Sequence, residues 1–281
     1  MDTVFNAIVW EPSVSPFSIG GFEIRYYALC WLIGLVSAYY VVKMVYKKGG
    51  IKDELFDPLF FYCFIGILVG ARLGHCLFYE PEYYLANPIE MILPVKEING
   101  TWKFIGYAGL ASHGGVIGVI TALYLYIRKT KMPFMWVLDS LGIAAPIFSA
   151  MVRLGNFMNS EIIGVPTDAP WGIIFAKTGN MTPCHPAQLY ESIAYLTVFI
   201  LILFLYRKYS NKVGSGLFAG FTLFTIFTFR FFIEYIKEVQ VSFENGMFIN
   251  MGQILSIPLI LLGGYLIYRG IKWNKGRVDK K

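Results

Sequence analysis

Charge is scarce in this sequence. Only 15% of its 281 residues are Asp, Glu, Lys or Arg, against roughly 25% in a soluble domain. Apolar residues make up 56%, and mean hydropathy is +0.56. That shortage excludes a disordered chain and an ordinary cytosolic enzyme. Cysteine is sparse as well. Cys30, Cys63, Cys76 and Cys184 are scattered without a C-x-x-C pair, so they read as core fillers rather than a disulfide framework or a zinc site. There is no H-E-x-x-H motif and no cluster of Asp of the kind that holds Mg²⁺. No metal and no cofactor is expected. Linkers, low-complexity tracts and composition breaks are also missing, which predicts a single integral membrane domain over 1–281.

Long apolar runs are present instead. Crossing roughly 30 Å of hydrocarbon takes about 20 apolar residues in a helix. Seven stretches qualify, at about 26–46, 57–79, 109–128, 134–152, 187–206, 215–236 and 252–271. The fold class expected is an all-α polytopic membrane protein of about seven transmembrane helices. Trp10, Trp31, Trp102, Trp136 and Trp171 lie near the proposed ends, where an interfacial belt would place them.

Basic residues orient the spans. With the C-terminus inside, the inside segments hold Lys43, Lys47, Lys48, Lys52, Arg128, Lys129, Lys131, Arg207, Lys208 and Lys212. The tail adds Arg269, Lys272, Lys275, Arg277, Lys280 and Lys281. Sixteen of the 24 basic residues are thus inside, against six outside. The excess predicts an outside N-terminus and a cytoplasmic C-terminus. It also accounts for the net charge of +6 without a nucleic-acid partner. Met1-Asp2-Thr3 opens no basic or apolar leader, so the first span is expected to insert uncleaved.

Two outward segments, about 80–108 and 153–186, are long enough to be functional or capping elements. They are expected to carry short helices over an outward-facing site. Polar residues within or beside spans are costly when they face lipid and so point to that site. Arg72 lies in Gly70-Ala71-Arg72-Leu73-Gly74-His75, and Arg153 in Val152-Arg153-Leu154-Gly155-Asn156. Snorkelling to the headgroups accounts for Arg72 as well as function does. Arg230 sits deep in the sixth span with Glu234 one turn later, a spacing that pairs them. His113 is followed by Gly114 and Gly115, which admit a close neighbour or ligand. Gly66, Gly70 and Gly74 form a G-x-x-x-G-x-x-x-G ridge for helix packing, and His75 reads as a packed polar residue. This gathering of Arg, His, Asn and Glu suits the handling of an anionic lipid or the transport of an anionic solute. The residues alone do not separate the two.

The run Arg153-Leu154-Gly155-Asn156-Phe157-Met158-Asn159-Ser160-Glu161, continuing to Gly164, resembles the G-x-R-x-G-N-F-x-N-x-E-x-x-G signature of bacterial prolipoprotein diacylglyceryl transferase. Further matches fall in chain order: Tyr27 within Ile24–Leu29, Gly70–Gly74, His113-Gly114-Gly115, His185-Pro186-Ala187-Gln188-Leu189-Tyr190-Glu191, and Arg230-Phe231-Phe232-Ile233-Glu234. Ser160 stands where the family commonly has Gly. Leu110-Ala111-Ser112 replace a frequent Met-Ser-Phe, and the 80–108 segment looks longer than in shorter members.

The resemblance implies transfer of the diacylglyceryl group of phosphatidylglycerol to the lipobox cysteine thiol of a prolipoprotein signal peptide. A thioether forms and glycerol phosphate leaves, as the first step of bacterial lipoprotein maturation at the outer face of the cytoplasmic membrane. A monomer is expected. Such a reaction needs a base for the thiol, implied to be His113, and fixed cations for the leaving phosphate, implied to be Arg153 and Arg230. Substrate-binding or shaping roles are implied for Tyr27, Arg72, Gly114, Asn156, Asn159, Glu161, Gly164 and Glu234. An anion transporter would show inverted repeats, and none is apparent.

Overall fold

The computed structural model describes residues 7–13, 15–19, 22–93, 95–98, 100–104, 109, 111–239 and 246–273. Nine α-helices are found among them: α1 (Tyr26–Lys48), α2 (Asp53–Phe78), α3 (Pro81–Ala86), α4 (Pro88–Ile92), α5 (Ser112–Thr130), α6 (Phe134–Asn159), α7 (Ala187–Tyr209), α8 (Leu217–Ile233) and α9 (Met251–Lys272). The six short strands are β1 (Ile8–Trp10), β2 (Phe17–Ile19), β3 (Phe22–Ile24), β4 (Val95–Ile98), β5 (Thr101–Phe104) and β6 (Ile173–Phe175). β1 pairs parallel with β6, while β2–β3 and β4–β5 are antiparallel hairpins.

Six helices, α1, α2, α6, α7, α8 and α9, are long and apolar enough to cross a membrane. The expected span at 109–128 falls on the 19-residue α5, which does not reach that apolarity. His113, three glycines and the basic pair Arg128-Lys129 dilute its apolar content. Exposed side chains on the long helices are large and apolar, among them Phe61, Ile65 and Val69 on α2 and Leu261 and Tyr265 on α9. Lipid rather than water suits such a surface.

The chain divides into two compact units, one holding residues 46–133 and the other the remainder. In the smaller unit α2 and α5 pack at backbone contact. A Cβ on Gly66 would come within 2.6 Å of the Ala122 Cβ, and one on Gly74 within 2.7 Å of the Gly114 Cα. Cβ atoms on Gly70 and Gly114 would strike each other's carbonyl oxygens. The glycine ridge is therefore a helix-packing face. The 80–104 stretch, expected to carry short helices, folds as α3, α4 and the β4–β5 hairpin.

In the larger unit, Val45, Ile143, Ile202, Tyr206, Leu217 and Phe218 form a core. α8 and α9 approach through Gly220 and Gly263, where a Cβ on Gly220 would lie 2.8 Å from the Gly263 carbonyl oxygen. The buried Asp139 carboxylate of α6 accepts the N–H groups of Gly214, Gly216 and Ala219, at 2.8–2.9 Å. It thereby satisfies donors that the start of α8 would otherwise leave orphaned. α9 begins with a capping box between Asn250 and Gln253. The charged end of this unit is thus built on helices with fixed starts.

Candidate active site

The expected fourth span ended at 152, but α6 continues to Asn159. Its last two turns carry the Arg153–Asn159 motif. Helical spacing puts Arg153 and Asn156 on one face, and Arg153 Nη1 donates to Asn156 Oδ1 at 3.4 Å. The chain then reverses through Ser160 (φ 58°), and the Glu161 N–H returns to the Asn156 carbonyl at 2.9 Å. That reversal brings the Glu161 carboxylate under two amides. Asn156 Nδ2 donates to Oε2 and Asn159 Nδ2 to Oε1, each at 3.0 Å. Tyr27 of α1 lays its ring against Gly155, where a Cβ would stand 2.9 Å from the ring. Gln188 Nε2 donates to the Glu161 carbonyl at 2.5 Å.

The backbone of Gly164 lies where three segments meet. Its N–H donates to the His185 carbonyl, and the Val165 N–H donates to the Ile236 carbonyl, both at 2.9 Å. A Cβ at 164 would lie 2.6 Å from the His185 Cβ and 2.7 Å from the Ile236 oxygen. Glycine is required there by close approach.

Ion pairs gather in the same unit. Arg153 Nε lies 3.2 Å from Oε2 of Glu191 on α7. Arg230 Nε lies 3.6 Å from Glu234 Oε1, the pairing its spacing predicts. Lys237 Nζ lies 3.2 Å from Glu191 Oε2 and 2.8 Å from Glu234 Oε1. Tyr195 donates to Glu191 Oε1 at 3.0 Å, and Asn250 Nδ2 donates to Glu234 Oε2 at 3.2 Å. Sequence reading missed Lys237 and counted it among loop cations. The signal was available: Lys237 follows Glu234 by three positions and Arg230 by seven, which are helical neighbours.

The smaller unit holds the other expected residues. Arg72 is buried; it does not snorkel. Its Nε donates to the Met91 carbonyl at 3.2 Å and its Nη2 to the Glu90 carbonyl at 2.6 Å, and the guanidinium lies 4.7 Å from the centre of the Tyr84 ring. His113, in the first turn of α5, is exposed and has no ion pair among the described residues. Gly114 sits in the α2–α5 contact. His75 packs on Tyr79 and pairs with Glu80 at 3.5 Å.

No group of His, Cys, Asp and Glu suited to a metal occurs among the described residues. Cys184 precedes His185, but burial, followed by the Glu238 carboxylate, pushes its thiol pKa up. It stays protonated and is a poor nucleophile. Together, the larger unit offers two guanidiniums beside a network of carboxylates and amides. Such an arrangement can hold a phosphate and stabilise charge developing on it.

Known proteins resemble this chain over nearly its whole length. Residues 15–269 match the family model of prolipoprotein diacylglyceryl transferase. A phosphatidylglycerol–prolipoprotein diacylglyceryl transferase of Bacteroides fragilis is 54% identical over 269 residues, covering 95% of this chain and 97% of the relative. The proteins of the same name from Porphyromonas gingivalis and Chloroherpeton thalassium are 41% and 38% identical, with 94% and 97% of this chain covered and 95% and 97% of theirs. On matches of that extent, the chain belongs to the prolipoprotein diacylglyceryl transferase family.

Proposed function

We propose that this protein transfers the diacylglyceryl group of phosphatidylglycerol to the lipobox cysteine of prolipoproteins, the first step of lipoprotein maturation. It would act as a monomer and a single membrane domain in the bacterial cytoplasmic membrane. Its N-terminus and site would face outward, as the distribution of Lys and Arg favours. The observation that carries the reading is the linked set of ion pairs joining Arg153 and Arg230 beside the Asn156–Glu161 motif.

In the reaction, the cysteine sulfur attacks the glycerol carbon that bears the phosphate. A C–S bond forms, the C–O bond breaks, and glycerol phosphate departs with the bonding pair. The thiol proton must be removed, because the thiolate is the nucleophile. We assign this role to His113, whose side chain is exposed at the start of α5. The thiol proton finally resides on the phosphate monoester, so charge and atoms balance.

Negative charge builds on the leaving phosphate within a site of low dielectric. Arg153 and Arg230 would stabilise it, since guanidinium forks match phosphate oxygens and stay protonated. Removing one such stabiliser costs about 3–4 kcal/mol, or 10²–10³ in kcat, in comparable sites. Glu234 would orient Arg230. Asn156 would orient Arg153 and, with Tyr27, offer hydrogen bonds to the headgroup. Glu161, Asn159 and Gly164 would shape the reversal after α6. Gly114 would place His113 by letting α5 lie close on α2. Arg72 would take part in substrate binding, and its contacts support a role in holding the α3–α4 segment.

The test uses purified protein in detergent, phosphatidylglycerol, and a lipobox peptide bearing Cys or Ser. Mass spectrometry is expected to find the diacylglyceryl mass on the Cys peptide alone, and to lose it with Arg153→Ala. Absence of any adduct with folded wild type would overturn the reading. Full activity of His113→Ala would remove the base assignment alone.

A further inference from the structure

Lys237 is the most enclosed cation of the ion-paired set. Its side chain is 2% exposed, against 15% for Arg153 and 35% for Arg230. An ammonium withdrawn that far does not reach a substrate. Whatever it contributes passes through the two carboxylates it touches. Glu191 and Glu234 lie 3.2 and 2.8 Å from it, and each holds one arginine. The order of contacts is Arg153, Glu191, Lys237, Glu234, Arg230. Without its central member this becomes two separate pairs.

The backbone fixes Lys237 as firmly as its side chain does. Residue 237 bridges to Gly164, the Glu238 N–H donates to the Ile163 carbonyl at 3.1 Å, and the Val165 N–H donates to the Ile236 carbonyl at 2.9 Å. The same contacts require Gly164. The ammonium is therefore set by the strand-like stitching of 163–165 to 236–238. The set holds three cations and two carboxylates. The Glu161 carboxylate beside it is held by the amides of Asn156 and Asn159 and makes no ion pair with Lys237 among the described residues.

We propose that Lys237 is a positioning residue: through Glu191 and Glu234 it sets the separation of Arg153 and Arg230, so that both guanidiniums engage one phosphate. This rests on the proposed transfer reaction, in which the two arginines stabilise the leaving group. Preorganised charge works only at the right place, and a misplacement of about 1 Å can cost about 10²-fold in rate.

The test measures kcat and KM for phosphatidylglycerol with the lipobox peptide, using wild type, Lys237→Gln, Lys237→Arg and Glu191→Asp. Lys237→Gln is expected to lower kcat about 100-fold with KM changed less than threefold, and Lys237→Arg to recover at least tenfold of that loss. A wild-type kcat in Lys237→Gln, a change confined to KM, or a loss that Lys237→Arg does not relieve would overturn the proposal. If Lys237→Gln does not fold, Glu191→Asp decides, because it keeps every charge and retracts one carboxylate by a methylene. A kcat at least tenfold lower supports the linkage; an unchanged kcat overturns it. An inactive wild type would instead sink the transfer reading itself.

Discussion

Glu191 lies fully buried with its carboxylate 3.2 Å from the Arg153 guanidinium. It is also within 3.2 Å of Lys237, so two cations depend on one enclosed anion. Glu191→Ala removes that anion and leaves both cations short of a partner. Breaking a buried pair from one side costs about 3–5 kcal/mol, and the variant is expected to lose that much stability along with its transfer activity. Denaturant titration in detergent micelles, followed by tryptophan fluorescence, checks the first loss. A Glu191→Ala protein as stable as wild type would contradict the ion-pair geometry.

Ser160 adopts φ 58°, a left-handed conformation that costs a non-glycine residue roughly 1–2 kcal/mol. Its hydroxyl is buried and has no hydrogen-bond partner among the described residues. The backbone favours Gly here. Ser160→Gly removes both the strain and the stranded hydroxyl, while the unfolded chain gains entropy that offsets part of the benefit. The net expectation is a gain of about 1 kcal/mol, seen as a melting point a few degrees higher. Transfer activity should be unchanged.

The Glu90 carboxylate accepts the Tyr83 hydroxyl at 2.5 Å and the Glu97 N–H at 3.0 Å. These bonds, the tyrosine first, favour the ionised form and hold its pKa below the usual carboxylate value. A lowered folded pKa gives stability that is present above the unfolded value and lost as pH falls through the folded one. Tyr83 shows the opposite shift: Glu90 raises its pKa, so its share persists below the unfolded tyrosine value and is lost as pH rises through the folded one. Tyr83→Phe should therefore be less stable than wild type near neutral pH. Melting curves across pH should show that gap closing below the carboxylate range and again in strong alkali. A gap independent of pH would contradict the pairing.

Much of this was legible in advance, and the failures share a cause. Apolar runs marked seven spans because lipid contact demands continuous apolar surface; six fall on helices long and apolar enough to cross, and the seventh falls on α5, which is not among them. The same signal ended α6 at 152, since Arg153, Asn156 and Asn159 look unfit for lipid. They are helical and partnered, Asn156 and Asn159 by Glu161 just past the helix end and Arg153 by Glu191 of α7, a residue distant in the chain. Arg230 and Glu234 were readable as a pair because helical spacing is local. Lys237 was not read, although its spacing of three from Glu234 is just as local, because the expected span ends at 236. The β1–β6 pairing had no local signature at all, joining segments near residues 9 and 174. Apolarity reports exposure to lipid, and short spacings report neighbours within one helix. Contacts between distant segments need the folded chain.

Arg72 provides the last expectation, because its two readings predict different losses. Its donors reach the Met91 and Glu90 carbonyls at the end of α4, groups that a helix end leaves in need of partners. The planar fork serves both while its face lies over Tyr84. Lysine presents a point charge and cannot reproduce that geometry. Arg72→Lys should thus cost about 1–3 kcal/mol in stability, the usual penalty for stranded buried polar groups. Susceptibility of the 79–93 stretch to limited proteolysis should rise, and KM for phosphatidylglycerol should follow only as that segment loosens. A direct headgroup contact would give the reverse pattern, with KM raised at least tenfold in a protein whose melting point and proteolytic pattern match wild type. Measuring all three on one preparation separates support of the binding region from contact with the lipid.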